Sequence, residues 1–323
     1  LGGCCGGGGG EEPYTSPSVP GPSASINADS TCVSTDHEPE GSGGLILSCA
    51  SESQLTVTKN WSQGFHDYDV TVGMPSSGSA PYPVAILLHG NGGNGAAMVA
   101  DFANDLPEHI LIGVQGYSNS WNIVNETSKG PDIEMLEDLV AKLQLYNNVD
   151  NDKIRIVGTS NGGALALRAA VEIGDVGVDA VVCMISQAHN QQYRNNYFHY
   201  PSNHEQIGDE YANDGYDLTK SGLTQRKIIQ MNGRSDTVIP YAGGSGAIPG
   251  TVEFLSAAES AYRFGASQGF VGIQQSGNVY GADSLLVDYG GVIFLNDDIG
   301  HGISADMRRL LNKYLESNFD TTY

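Results

Sequence analysis

Basic residues are scarce in this 323-residue chain, with 15 Lys and Arg against 37 Asp and Glu, giving a net charge of −22. A field of that sign repels nucleic acid and anionic membrane surfaces, so neither is an expected partner. The same acidity suits solubility in a salty habitat, where the Debye length shrinks to a few ångströms. No stretch approaches the roughly 18 consecutive apolar residues a spanning helix needs, which excludes a transmembrane anchor within the chain as it stands. There is no internal repeat, and no G-x-x-x-x-G-K-[ST] to make a phosphate-binding loop of its glycines. Aromatic residues make up only 8%, yet the 16 tyrosines are clustered and 40% of the chain is hydrophobic, enough for a sizeable core.

Cysteine is also rare, with five in all, at 4, 5, 32, 49 and 183. Cys32 and Cys49 flank a polar segment and are expected to close a disulfide in an oxidising compartment. Cys183, in A-V-V-C-M-I, reads as a buried small hydrophobe. The odd count leaves at least one thiol unpaired or modified.

What is present divides at about residue 54. Residues 1–53, with runs such as C-G-G-G-G-G-E-E-P and S-P-S-V-P-G-P-S, read as a flexible linker. L-G-G-C at 1–4 resembles a bacterial lipobox, which makes Cys4 the candidate lipidation site and the segment a membrane tether; a plain tail is the alternative. Residues 54–323 read as one α/β domain. V-A-I-L-L, I-L-I-G-V, I-R-I-V, V-D-A-V-V-C-M-I, K-I-I-Q-M and V-I-F-L-N are buried strands. Helices are expected between them, one opened by Pro131 with i, i+3, i+4 apolar spacing and another near 251–264. Buried strands alternating with helices imply a mostly parallel sheet covered on both faces. The core pattern lapses over 187–225, which reads as a cap-like insertion.

Four segments carry chemistry. G-T-S-N-G-G at 158–163 follows a strand and opens a helix, the context in which Ser160 is held exposed on a strained turn and the Asn161 N–H is free to donate to an oxyanion. H-G-N-G-G-N-G at 89–95 also follows a strand and offers a second N–H, with Asn91 first and Gly92 next; His89 reads as a structural residue of that loop. N-G-R-S-D-T-V-I-P-Y places Asp236 after a strand, and D-D-I-G-H-G-I-S places His301 after another. Each is weak alone. In the order Ser, Asp, His, each behind a strand, they match the α/β-hydrolase arrangement.

H-G-N-G-G-N, Q-G-Y-S-N-S-W-N, D-I-E-M-L, V-D-N-D-K-I-R-I-V-G-T-S-N-G-G, N-G-R-S-D-T-V-I-P-Y-A-G-G and G-H-G-I-S resemble the polyhydroxybutyrate depolymerase and feruloyl esterase group of α/β-hydrolases, which includes acetyl xylan esterases. The resemblance spans about 65–317. It implies a secreted carboxylic-ester hydrolase with no metal or cofactor, acting on a small or polymeric ester through Ser160, Asp236 and His301; the lipobox-like start adds a membrane tether as the alternative to free secretion. Asn232 departs from the group, which commonly has His before this glycine. Feruloyl or acetyl esters of polysaccharides are the first expectation for substrate and polyesters the second; a peptidase or a non-catalytic binding module on this scaffold are the remoter alternatives. Tyr193 and Tyr197, in the aromatic segment 187–225, are candidate substrate contacts or parts of a self-packed surface loop. Trp121, in N-S-W-N, either lines the pocket or anchors its loop.

Overall fold

Strands covered on both faces have no reason to alternate polar and apolar residues, and the uninterrupted apolar runs form the centre of one sheet. The computed structural model describes residues 44–208, 215–247 and 253–315. It opens with a short helix, α1 (Glu52–Leu55), and a hairpin of β1 (Val57–Trp61) and β2 (Gly64–Tyr68). β3 (Val70–Gly73), β4 (Tyr82–Leu88), α2 (Gly95–Phe102) and β5 (Ile110–Val114) follow. Next come α3 (Asp132–Leu143), β6 (Val149–Thr159), α4 (Asn161–Glu172) and β7 (Val178–Met184). Three short strands, β8 (Tyr193–Arg194), β9 (Tyr197–Tyr200) and β10 (Leu218–Lys220), precede β11 (Lys227–Gly233). The last elements are α5 (Ala257–Ser267), β12 (Asn278–Val279), β13 (Leu285–Asp288), β14 (Val292–Asp297) and α6 (Ala305–Leu315).

The main sheet has nine strands in the order β12-β13-β14-β11-β7-β6-β4-β5-β3. Its six inner strands, from β14 to β5, run parallel. The rims are antiparallel, β3 on β5 at one side and β13 with β12 at the other. After β4 the chain adds β5 on one side and then crosses back to lay β6 on the other. That reversal opens a crevice at the carboxyl ends of β4 and β6, where ligands bind in open α/β sheets.

Alternation along β4 shows how the layers are held. Val84, Ile86 and Leu88 face a core shared with α3, α4 and α5, whereas Ala85 and Leu87 face one shared with α2 and α6. Helix α3 has the predicted stripe, with Ile133, Leu136, Val140 and Leu143 all buried.

Two sequence expectations are corrected. The domain starts before residue 54: Leu47 is fully buried, and its N–H and carbonyl are held by the Asn148 side chain at 2.8 and 2.9 Å. The helix expected near 251–264 begins at Ala257, where the Ser256 hydroxyl accepts the Glu259 N–H. The 187–225 segment contains a small antiparallel sheet, β10-β9-β8, whose Phe198 packs on Phe264 of α5 at 4.4 Å between ring centroids. It also braces the loop after β5, through Tyr216 Oη donating to the Ile123 carbonyl at 2.7 Å. The segment thus packs against α5 and against the loop after β5.

Cys183 is buried and free. Cys49 is disulfide-bonded; Cys32, its expected partner, lies outside the described residues, as do Cys4 and the linker up to residue 43. No helix among the described residues is long and apolar enough to cross a membrane.

Candidate active site

The turn from β6 into α4 is built of backbone alone. A Cβ on Gly158 would lie 2.7 Å from Gly163 N, one on Gly162 would lie 2.6 Å from the His89 carbonyl, and one on Gly163 2.9 Å from the Met184 carbonyl. Helix and strands therefore close to distances no side chain permits. The chain turns at Ser160 with φ 52° and ψ −117°, a left-handed conformation that costs an L-residue roughly 1–3 kcal/mol and must be enforced by its surroundings. One restraint is the Ser160 N–H, which donates to the Met184 carbonyl at 2.9 Å.

Two other strand ends deliver side chains to Ser160. Its Oγ is 2.9 Å from His301 Nε2, and His301 Nδ1 is 2.7 Å from Asp236 Oδ2. The Asp236 side chain is 1% exposed, and its other oxygen accepts the N–H groups of Val238 and Ile239 at 2.8 and 3.1 Å. Those bonds leave Oδ2 to the imidazole. With a carboxylate on Nδ1 and a hydroxyl on Nε2, the ring is set as the Nδ1–H tautomer, with Nε2 placed to take the serine proton.

The donors named from sequence lie on either side. Asn161 is the first residue of α4, so its N–H has no helical acceptor. Gly90 stands over the serine, with an added Cβ 3.5 Å from Ser160 Cβ. In this loop the Gly92 N–H goes to the Asn119 carbonyl at 2.7 Å and the Gly93 N–H to the Gly90 carbonyl at 2.9 Å. Gly92, the second choice from sequence, is therefore spent, whereas the Asn91 N–H has no acceptor among the described residues. His89 fixes the loop: Nδ1–H donates to the Gly90 carbonyl at 2.8 Å, and Nε2 accepts the Gly116 N–H at 3.1 Å. Burial lowers its pKa, against the opposing pull of the Gly90 carbonyl, which keeps the ring neutral as this pattern requires.

Of the two readings of Trp121, pocket lining and loop anchor, its contacts are those of the anchor. It is 0% exposed, its indole Nε1–H donates to the His89 carbonyl at 2.8 Å, and its ring lies 4.9 Å from that of His89. Its backbone N–H also donates to Asn161 Oδ1 at 2.8 Å. The recorded contacts of Tyr193 are the Phe198 ring and the Arg263 guanidinium, at 4.9 and 5.3 Å, on the α5 side. Tyr197 is 49% exposed at the turn of its hairpin. Neither is brought to the triad by any recorded contact. Among the described residues no group of three or more His, Cys, Asp or Glu side chains stands together in a way that could hold a metal ion.

The sequence reading missed Glu126. Its Oε2 accepts the N–H groups of Ile123 and Val124 at 3.0 and 2.7 Å, and its Oε1 accepts Asn161 Nδ2 at 2.9 Å. In the polar run V-N-E-T-S-K-G nothing distinguishes this glutamate from a solvated one. Behind it, Asp132 accepts from Tyr68 Oη at 2.8 Å and Asn122 N at 2.7 Å. Burial pushes the Asp132 carboxyl up to about 6, against those two bonds and the nearby Arg168.

A reversing parallel sheet, a strained serine turn after β6, and an acid and a histidine at the ends of β11 and β14 together define the α/β-hydrolase fold. No protein-family model matches the chain, and no curated protein does so. Solved structures are similar to it. An acetyl xylan esterase from Aspergillus awamori is 13% identical, covering 72% of this chain and 88% of its own, at a TM-score of 0.48. A Bacillus cereus carboxylesterase is 13% identical over 77% of this chain and 93% of its own, at 0.46. Zea mays acyl-protein thioesterase 2 is 14% identical over 76% and 96%, also at 0.46.

Proposed function

We propose that the protein is a serine carboxylic-ester hydrolase working through an acyl-enzyme. The observation that carries this reading is the relay from Ser160 Oγ through His301 to Asp236, at 2.9 and 2.7 Å. His301 Nε2 takes the serine proton as Oγ attacks the ester carbonyl, and Asp236 stabilises the imidazolium that forms. The carbonyl oxygen, now negative, moves toward the N–H groups of Asn161 and Asn91. Each such donor lowers the barrier by about 3–4 kcal/mol in comparable sites. His301 returns its proton to the leaving alkoxide, then activates the water that splits the acyl-enzyme.

Within that class, our proposed substrates are acetyl or feruloyl esters of polysaccharides, with polyesters second. Support for this finer step is the run of sequence segments from H-G-N-G-G-N to G-H-G-I-S. A secreted or periplasmic setting is part of the proposal, and the bonded Cys49 favours an oxidising compartment.

The test is hydrolysis of p-nitrophenyl acetate and butyrate, methyl ferulate, acetylated xylan and polyhydroxybutyrate, with Ser160→Ala as control. The expected result is turnover of acetyl or feruloyl esters that Ser160→Ala abolishes without loss of folding. Turnover of the polyester alone would move the assignment to depolymerases. Activity persisting in Ser160→Ala, or none on any ester by the folded protein, overturns the proposal.

A further inference from the structure

We infer that Glu126 is a positioning residue for the oxyanion hole, acting through the side chain of Asn161; the inference rests on the ester-hydrolase reading above. Four hydrogen bonds hold the Asn161 amide, and all run to the loop after β5. Its Oδ1 accepts the Trp121 N–H at 2.8 Å and the Ser120 hydroxyl at 3.3 Å, while its Nδ2 donates to Glu126 Oε1 at 2.9 Å and the Trp121 carbonyl at 3.3 Å. An amide saturated in this way has no capacity left for substrate. What it does is fix the first residue of α4, and with it the direction of the Asn161 N–H. The adjoining Ser160 conformation is high in energy, so it persists only where neighbours over-determine it.

Glu126 holds the other end of this lock. One carboxylate oxygen gathers the Ile123 and Val124 N–H groups and the other takes Asn161, so both must be acceptors. A carboxylate meets that demand and an amide does not. With its oxygen on the two backbone donors, a glutamine turns its NH2 toward the Asn161 NH2, and donor faces donor. Glu126→Gln is thus nearly unchanged in shape but breaks the one bond at issue. Arg168 NH1, which donates to the Asn122 carbonyl at 2.5 Å, still ties the same loop to α4, so the fold retains an independent hold on this segment.

The experiment compares wild type and Glu126→Gln on a matched pair, p-nitrophenyl acetate and its thionoacetate analogue. Sulfur is larger than oxygen and accepts hydrogen bonds poorly, so a well-aligned hole favours the oxoester. The oxo-to-thiono ratio is read within each variant, which makes it independent of the fraction folded. In Glu126→Gln, kcat on the oxoester is expected to fall about 10- to 100-fold with KM changed less than about threefold, and the ratio to shrink by about tenfold or more. Unchanged kcat, or equal losses on both esters, overturns the role of Glu126 and leaves the hydrolase reading standing. A wild type inactive on both esters overturns both.

Discussion

Gly158 and Gly162 meet backbone to backbone where β6 becomes α4, with no room for a side chain between them: a Cβ on Gly158 would overlap the Gly162 carbonyl and lie 2.7 Å from Gly163 N. Ser160 hangs on this contact. Gly158→Ala must push the helix start away from the strand, at a cost of about 1–3 kcal/mol. Displacement of the serine by even an ångström is worth about 100-fold in rate. We expect kcat on a small ester to fall by at least that factor while the protein still unfolds cooperatively. Normal activity with an unshifted melting temperature would show that the contact yields.

Asp236→Asn keeps the shape of the triad but reverses its chemistry, since an amide that donates to Nδ1 stabilises the wrong tautomer. The expected loss in kcat is about ten-thousandfold near neutral pH. Recovery of rate at alkaline pH is the accompanying signature. A loss under tenfold would remove Asp236 from the relay.

Trp121→Phe separates anchoring from substrate binding. Phenylalanine fills most of the space and removes the indole N–H that holds the His89 carbonyl. For an anchor, kcat falls roughly 10-fold or more and KM stays within about threefold. A raised KM with unchanged kcat would return Trp121 to the pocket wall.

Acid should destabilise the fold, through histidines outside the triad. Burial holds His109 and His189 down at about 3, assisted by Arg155 beside the first and by Arg168 and Arg194 beside the second. Each also has a buried ring nitrogen with no partner among the described residues. Below pH 6.5 the unfolded chain takes up protons that the folded protein refuses, so stability is complete above 6.5 and lost toward 3. The loss is about 1.4 kcal/mol per pH unit for each histidine. Asp132 works the other way: its raised carboxyl, at about 6, gives stability back as pH falls from there toward 3.8. Burial also raises Glu137, Glu172 and Asp179, but it lowers His66, His89 and His199 in addition to the first two histidines, so urea midpoints should drop between pH 6.5 and 4. A flat or rising midpoint would contradict the burial of these rings.

The parallel strands were legible because each carries a continuous apolar run, and the triad because each member follows such a run. Shorter elements escaped notice for local reasons. β2 reads G-F-H-D-Y, yet Phe65 is 71% exposed while His66 lies against Trp61 and Tyr68, so side-chain polarity points the wrong way for its pattern. β8 to β10 span only two to four residues each, too few for a period to emerge. The start of α5 had a readable signal in S-A-A-E at 256–259, where serine caps and an acid follows three residues later. Leu47 was hidden in a Gly- and Ser-rich stretch. Glu126 had no signal at all, because its meaning lies in Asn161, 35 positions away.

Trp121 reaches one loop with its indole and the start of α4 with its backbone, so the groups proposed to cradle the oxyanion share a single post. Such a site is hard to retune piecemeal. A change that shifts the 89–95 turn to admit a bulkier acyl group drags the helix start with it, and the nucleophile along with both. New specificities on this scaffold are therefore expected to arise where the catalytic frame is not strung together, in the walls contributed by other loops. The chemistry stays fixed while the surroundings diverge.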